Sequence, residues 1–383
     1  LEHTVFPKGQ TPNPEISSGF IPRDFGPTAE LTVEELFQKG LTEEKLGHLQ
    51  EAETAYSEAL SRDPHMIGPN LQLGLLAWTR LESHLAIEHF EKALQREPFN
   101  GDALFYLAMV HLELGNPEES RRLFYRLLPS SGKFEQRDYG LGLLAIKEQD
   151  YLKAYRLLES AVERLPLQLS AHHARALMLR KLGRSAEAAA ACNQILTLDP
   201  TNAFARAERA FSSGWASKEV ADLDRIAAHP QGYLELATEY MSLEAWAEVD
   251  QLLAHAVATL QNSATPPVLL SYYRAFALTQ TGKAREARGL VAGAAAQNLR
   301  VEIFPFRRET VPVLRKALSL KPDDANAAFL LGALLYSRTE RANARDLWEA
   351  GIEHDPEHFA SLQHLGWTLV EEGQIDRALP FLE

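Results

Sequence analysis

Proline stands at Pro64, Pro98, Pro166 and Pro200, and every interval between them is a multiple of 34 residues. The omitted beat falls on Gly132, another residue that stops a helix. A fixed period of this length confines the chain to a stack of helical hairpins. In such a stack each unit touches only its neighbours, so the product is an extended surface rather than an enclosed globular pocket.

Small residues repeat with the same period where two helices must approach. Gly40, Gly74, Ala108, Gly142 and Ala176 fall on the first helix of successive units, and Ala52, Ala86, Ser120, Ala154 and Ala188 on the second. Ala59, Ala93, Leu127, Ala161 and Ile195 follow further along the second helix. Between these last two sets lies a larger knob, Tyr56, Phe90, Phe124, Leu158 or Cys192, that fills the space beside the small residues. Gly47, Gly115 and Gly183 mark the turn within the hairpin as left-handed helix ends, and Leu81 and Gln149 occupy the same slot. Asp-Pro at 63–64 and 199–200 ends a helix, because proline drives its predecessor out of the α region.

In these residues the chain resembles the tetratricopeptide repeat family. Five consecutive units, 33–66, 67–100, 101–134, 135–168 and 169–202, hold phase without a gap. The fold class expected is all-α, a right-handed α-solenoid of antiparallel helix pairs. Phase then slips near 212–232, where Ser212-Ser213-Gly214 is poor helix-interior material, and again near 297–313. Units return at 230–263 and about 268–297, and a half-unit at roughly 304–324 has Phe304-Pro305-Phe306 in place of a first helix. The expected organisation is a Pro/Gly-rich linker or upstream-domain tail at 1–31, five regular units at 32–202, irregular units at 203–324, and two units at 325–383, the last truncated. Thr32 with Glu35 forms a capping box that opens the first helix. The chain lacks an initiator Met and ends inside a second helix, so it reads as a fragment of a longer protein.

Composition excludes several function classes. A net charge of −13, from 52 acidic and 39 basic residues, argues against nucleic acid and against anionic membrane surfaces. No apolar run reaches the roughly 18 residues of a membrane span, and the expected location is cytoplasmic. The single cysteine, Cys192, falls on a core knob and reads as a buried thiol. Gly282-Lys283 lacks the partners of a phosphate-binding loop, with Ala277 and Ala284 where glycine and Ser or Thr are needed. His354, His358 and His364 have no compact zinc spacing. The sequence therefore predicts no catalytic residue, no metal and no cofactor.

The resemblance implies that first helices line a concave groove. Carried onto this chain, its inward positions read Phe37, Leu71, Phe105, Tyr139 and His173, then Leu41, Leu75, Met109, Leu143 and Leu177, with Trp78, Leu112 and Ile146 one turn on. Phe211, Trp215, Tyr272, Phe276, Phe329, Tyr336 and Trp367 take equivalent slots later. An apolar, aromatic stripe of this kind marks a contact surface. The function expected is a non-catalytic interaction scaffold that binds a peptide or helix in this groove, its partner a protein or peptide, its own missing upstream domain being one option. The variant of the family that clamps a chaperone's C-terminal carboxylate is not matched. Phe37, Leu71, Phe105 and Tyr139 stand where its first lysine is needed, although Lys45, Lys147, Arg180 and Lys181 supply inner positive charge.

A narrower resemblance is carried by Glu35-Leu36-Phe37-Gln38-Lys39-Gly40, Ile303-Phe304-Pro305-Phe306-Arg307 and Trp348-Glu349 through Gly366. These segments are similar to a family of large bacterial proteins with an N-terminal mutarotase-like domain of unknown function and a C-terminal tetratricopeptide array. That resemblance implies the alternative: an accessory array of a carbohydrate-active protein, glycosidase or mutarotase-like, whose active site lies upstream.

Overall fold

The computed structural model describes residues 31–215, 217–227, 229–260, 268–299, 305–338 and 340–382. Most of the proline- and glycine-rich segment 1–31, together with Phe304, lies outside the described residues. Every regular element among the described residues is a helix.

The five phased units are five hairpins. They pair α1 (Val33–Leu46) with α2 (Leu49–Arg62), α3 (Ile67–Thr79) with α4 (Ser83–Arg96), and α5 (Gly101–Glu113) with α6 (Pro117–Tyr125). Next come α7 (Arg137–Lys147) with α8 (Tyr151–Arg164) and α9 (Leu169–Lys181) with α10 (Ser185–Leu198). The small-residue register is the packing register. A Cβ added to Gly40 would lie 2.3 Å from the Tyr56 ring, and one on Gly74 would lie 2.5 Å from the Phe90 ring. Both knobs are fully buried, so the hairpins close only because the facing residue has no side chain. Ala52, Ala86, Ala154 and Ala188 are likewise buried.

The turn slot is left-handed in every regular unit, glycine or not. Gly47, Gly115 and Gly183 have φ of 82°, 76° and 73°, while Leu81 and Gln149 are held at 64° and 60°. Backbone geometry is thus imposed by the hairpin, and glycine only makes it cheaper. Thr32 and Glu35 form the reciprocal capping box, Glu35 N–H donating to Thr32 Oγ1 at 3.3 Å and Thr32 N–H to Glu35 Oε2 at 3.0 Å.

Past residue 202 the hairpins shorten and then lose a helix. The sixth pair is α11 (Ala203–Ser212) and α12 (Ser217–Ile226), each of 10 residues against the 14 of α1 and α2. Helices α13 (Pro230–Ser242) and α14 (Trp246–Thr259) follow, then α15 (Val268–Gln280) and α16 (Ala284–Ala295). Helix α17 (Thr310–Leu320) stands without a first helix among the described residues and packs on both α15 and α18 (Ala325–Ser337). The last described helices are α19 (Arg341–His354), α20 (Phe359–Glu371) and α21 (Ile375–Leu382).

The joint around α11 is held by buried charge. Glu208, 1% exposed at its side chain, accepts from Arg180 Nε at 2.8 Å and from the Tyr240 hydroxyl at 2.9 Å. Arg180 Nη2 also reaches Glu248 at 2.9 Å, and Lys181 Nζ reaches the same carboxylate at 2.5 Å. Burial opposes the Arg180 charge, yet the Glu208 and Glu248 carboxylates keep its pKa above the ordinary value. Phe204 lies between the rings of His173 and Tyr240, at 4.5 and 4.6 Å. Thus α9, α11, α13 and α14 are bolted together where the repeat pattern weakens. Of the inner positive charge read from the sequence, Arg180 and Lys181 are neutralised by this joint.

Candidate functional site at the axis of the array

Because the stack curves, first helices of early and late units face one another. Met109 and Leu112 on α5, with Tyr139 and Leu143 on α7, form one wall of an axial cavity of about 470 Å³. Met241 on α13, Trp246 at the start of α14, Phe276 on α15 and the segment Arg308, Glu309 and Pro312 form the other. The wall is mainly apolar, with two of the chain's four methionines, which suit adaptable contact. Burial raises the Tyr139 hydroxyl above its ordinary pKa, so it remains a neutral donor, and a hydrogen bond with Ser170 offsets part of that rise.

The array closes on itself beside this cavity. Arg308 pairs with Glu113, 195 residues away, and its guanidinium lies 4.9 Å from the centre of the Trp78 ring. Trp78 Nε1 donates to the same Glu113 carboxylate at 2.9 Å. Arg338 Nη1 donates to the Thr79 carbonyl at 2.7 Å across 259 residues. Lys147 Nζ donates to the Leu112 carbonyl at 2.8 Å and stands 4.0 Å from Glu244. A second, shallow cavity of about 460 Å³, largely open to solvent, shares Leu81, Ser83, Phe276 and Pro312 with the first and adds Val311, Arg315, Lys316 and Ser319.

The residues expected in the groove divide into distinct environments. Met109, Tyr139, Leu143 and Phe276 meet in the axial cavity. Trp78 borders it beneath Arg308. Leu71 and Leu75 are half-buried against the same apolar cluster as Phe105, which is itself 9% exposed. Phe37 packs on Tyr56 at 5.9 Å and covers Gly68. Three others are structural. His173 is buried against Phe204 and its Nδ1 pairs with Glu239. The Tyr272 hydroxyl donates to Asp324, the cap of α18, and Phe329 is buried against His364 at 4.8 Å. These three sit inside the stack and not on an open face, because residues of following units cover them: Phe204 and Glu239 over His173, Asp324 over Tyr272 and His364 over Phe329. Tyr336 is half-buried with its hydroxyl on Glu371 at 2.7 Å, whereas Trp367 is 57% exposed on α20.

Met241, Trp246, Arg308, Glu309 and Pro312 escaped the sequence reading. They sit at helix ends or in the joint before α17, where no repeat position points inward, and only the three-dimensional curvature brings them to the axis. Two of the histidines near Pro356, His358 and His364, have structural roles. His358 Nε2 contacts Asn326 Oδ1 at 3.0 Å and its Nδ1 contacts Ser361 at 2.8 Å, while His364 Nδ1 bonds the Ala360 carbonyl. Among the described residues no group of three or more His, Cys, Asp or Glu is placed to hold a metal. Likewise, no helix among them is long and apolar enough to cross a membrane.

The chain was compared with known proteins. A tetratricopeptide-repeat family pattern matches residues 71–133 and 139–203, and a second pattern of the same description matches 36–66. No curated protein sequence matches the chain. Among solved structures, one similar chain is the MamA protein, 19% identical over 44% of this chain and 92% of its own, with a TM-score of 0.38. Another is YrrB, described as a TPR protein with an unusual peptide-binding site, 17% identical over 45% of this chain and 90% of its own, at 0.37. The pilF protein of Pseudomonas aeruginosa is 18% identical over 56% of this chain and 96% of its own, at 0.46. Tetratricopeptide-repeat patterns therefore recognise most of the stretch from α1 to the start of α11.

Proposed function

We propose that the array is a non-catalytic scaffold that holds apolar anchor side chains of a peptide in the axial cavity. The observation that carries this reading is the shared wall: Met109, Tyr139 and Leu143 from early units face Met241, Trp246 and Phe276 from late ones. Such a site lies within the size range of pockets that grip a ligand through burial. An extended segment that inserts two or three side chains, or one apolar face of a helix, would bury its anchors there.

A role beside an upstream carbohydrate-active domain, in a longer bacterial protein, rests on the sequence resemblance alone. A peptide from such a domain would meet the same cavity. The test is a peptide-display selection against the wild type, counter-screened with Leu143→Arg, which places a charge in the wall. Selected peptides should carry clustered apolar residues, quench or shift Trp246 fluorescence, and lose at least tenfold in affinity for a variant that melts normally. Peptides that bind both proteins equally would refute the cavity as the site.

A further inference from the structure

We propose that the ligand's apolar anchor is flanked by acidic residues, which sit against Arg315 and Lys316 in the second cavity. This rests on the reading of the axial cavity as a peptide-anchor site. The two cavities share Leu81, Ser83, Phe276 and Pro312, so a chain anchored in the first continues directly into the second. The charge of the two differs in kind. In the first, Arg308 pairs with Glu113 and Lys147 stands near Glu244, so its cations already have carboxylates. Glu309 belongs to that wall, where its charge acts on Arg338. The second cavity contains Arg315 and Lys316 and no acidic residue. Neither of these side chains is bonded to a carboxylate among the described residues. They follow one another on α17, the helix that stands without a first-helix partner there. In a chain with a net charge of −13, an acid-free basic mouth beside an apolar cavity is complementary to an apolar-acidic segment.

The whole-molecule field makes the test stringent, because a net charge of −13 favours basic peptides at long range. Three fluorescein-labelled nonapeptide pools would be titrated by anisotropy. Each carries a central pair drawn from Phe, Leu, Met and Trp, followed by two Asp, two Ser or two Lys. The Asp pool should bind wild type at least tenfold tighter than the Ser pool, and Arg315→Glu/Lys316→Glu should erase or invert that preference. Equal binding of the Asp and Ser pools, or preference for Lys, overturns the acidic assignment and leaves the cavity reading intact. Equal binding of every pool to wild type and to Leu143→Arg overturns both, as does no binding at all. An Asp preference that survives the double Glu variant also overturns the assignment to Arg315 and Lys316.

Discussion

Removing Arg308 should open the array without unfolding it. Arg308→Ala deletes an ion pair to Glu113 whose side chains are 20% and 42% exposed, and a guanidinium stacked 4.9 Å from the Trp78 ring centre. An ion pair this exposed contributes about 0–1 kcal/mol, and a cation–π contact at an exposed site contributes about 0.5–1 kcal/mol. Together they bias closure by roughly 0.5–2 kcal/mol, a factor of about 2–30 in the ratio of closed to open forms. Arg338 would still hold the Thr79 carbonyl, so the variant samples both forms. The assay is energy transfer between dyes on Glu91→Cys and Asp323→Cys, one on α4 and one just before α18. Native Cys192 stays silent, since burial and the nearby Glu208 charge push its thiol pKa up to about 12. Transfer should fall in Arg308→Ala at low salt, with the melting temperature unchanged. It should also fall in the wild type at 1 M salt, where the screening length shrinks to about 3 Å. Identical transfer in variant and wild type, insensitive to salt, would refute the reasoning. Closure would then rest on apolar contact around Leu81, not on the arginines.

Gln149→Gly should stabilise the chain by up to about 1.5 kcal/mol, because relief of a left-handed residue, about 1–2 kcal/mol, exceeds the cost of about 0.5–1 kcal/mol in unfolded-chain entropy. Its φ is 60° and its side chain is exposed, so a lower urea midpoint would contradict the strain argument. Glu208→Ala strips acceptors from both Arg180 and Tyr240 at a buried site. The loss should approach about 3–5 kcal/mol, and a change below about 1 kcal/mol in urea unfolding would mean that water replaces the carboxylate. Burial lowers the pKa of His89, His172, His358 and His364, so these stay neutral when folded while the unfolded chain takes up protons. Their stability contribution is present above about pH 6.5 and is lost as pH falls through the folded values. The melting temperature should therefore drop between about pH 7.5 and pH 5. His358→Gln should flatten that slope, and an unchanged slope would assign it to other groups.

What the sequence disclosed was whatever the 34-residue period multiplies. Gly40 against Tyr56 and Gly74 against Phe90 are contacts between residues 16 apart within one hairpin, repeated often enough to be read as a register. The left-handed turn was legible for the same reason, even at Leu81 and Gln149, where the residue type argues against it. The Arg180–Glu208–Glu248 joint was not legible, because its partners lie 28 and 68 residues apart and occur once. Residues in the expected inward slots also behaved differently from one another. Met109, Tyr139 and Leu143 reach the axis, as does Phe276 from a late unit, while His173, Tyr272 and Phe329 are covered by residues of following units.

That division has a physical origin with a functional consequence. Curvature of a solenoid sums small rotations between successive units, so an error of a few degrees per unit decides whether residues 195 apart meet or miss. No local pattern encodes the sum. The degenerate units therefore matter most. A strictly regular array would continue its groove past α9, but the short α11 and α12, with the buried charge joint beside them, redirect α13 through α17 across the early units. The departure from the repeat turns an open apolar stripe into a half-enclosed cavity, and gives Arg315 and Lys316 a place beside it that no repeat position provides.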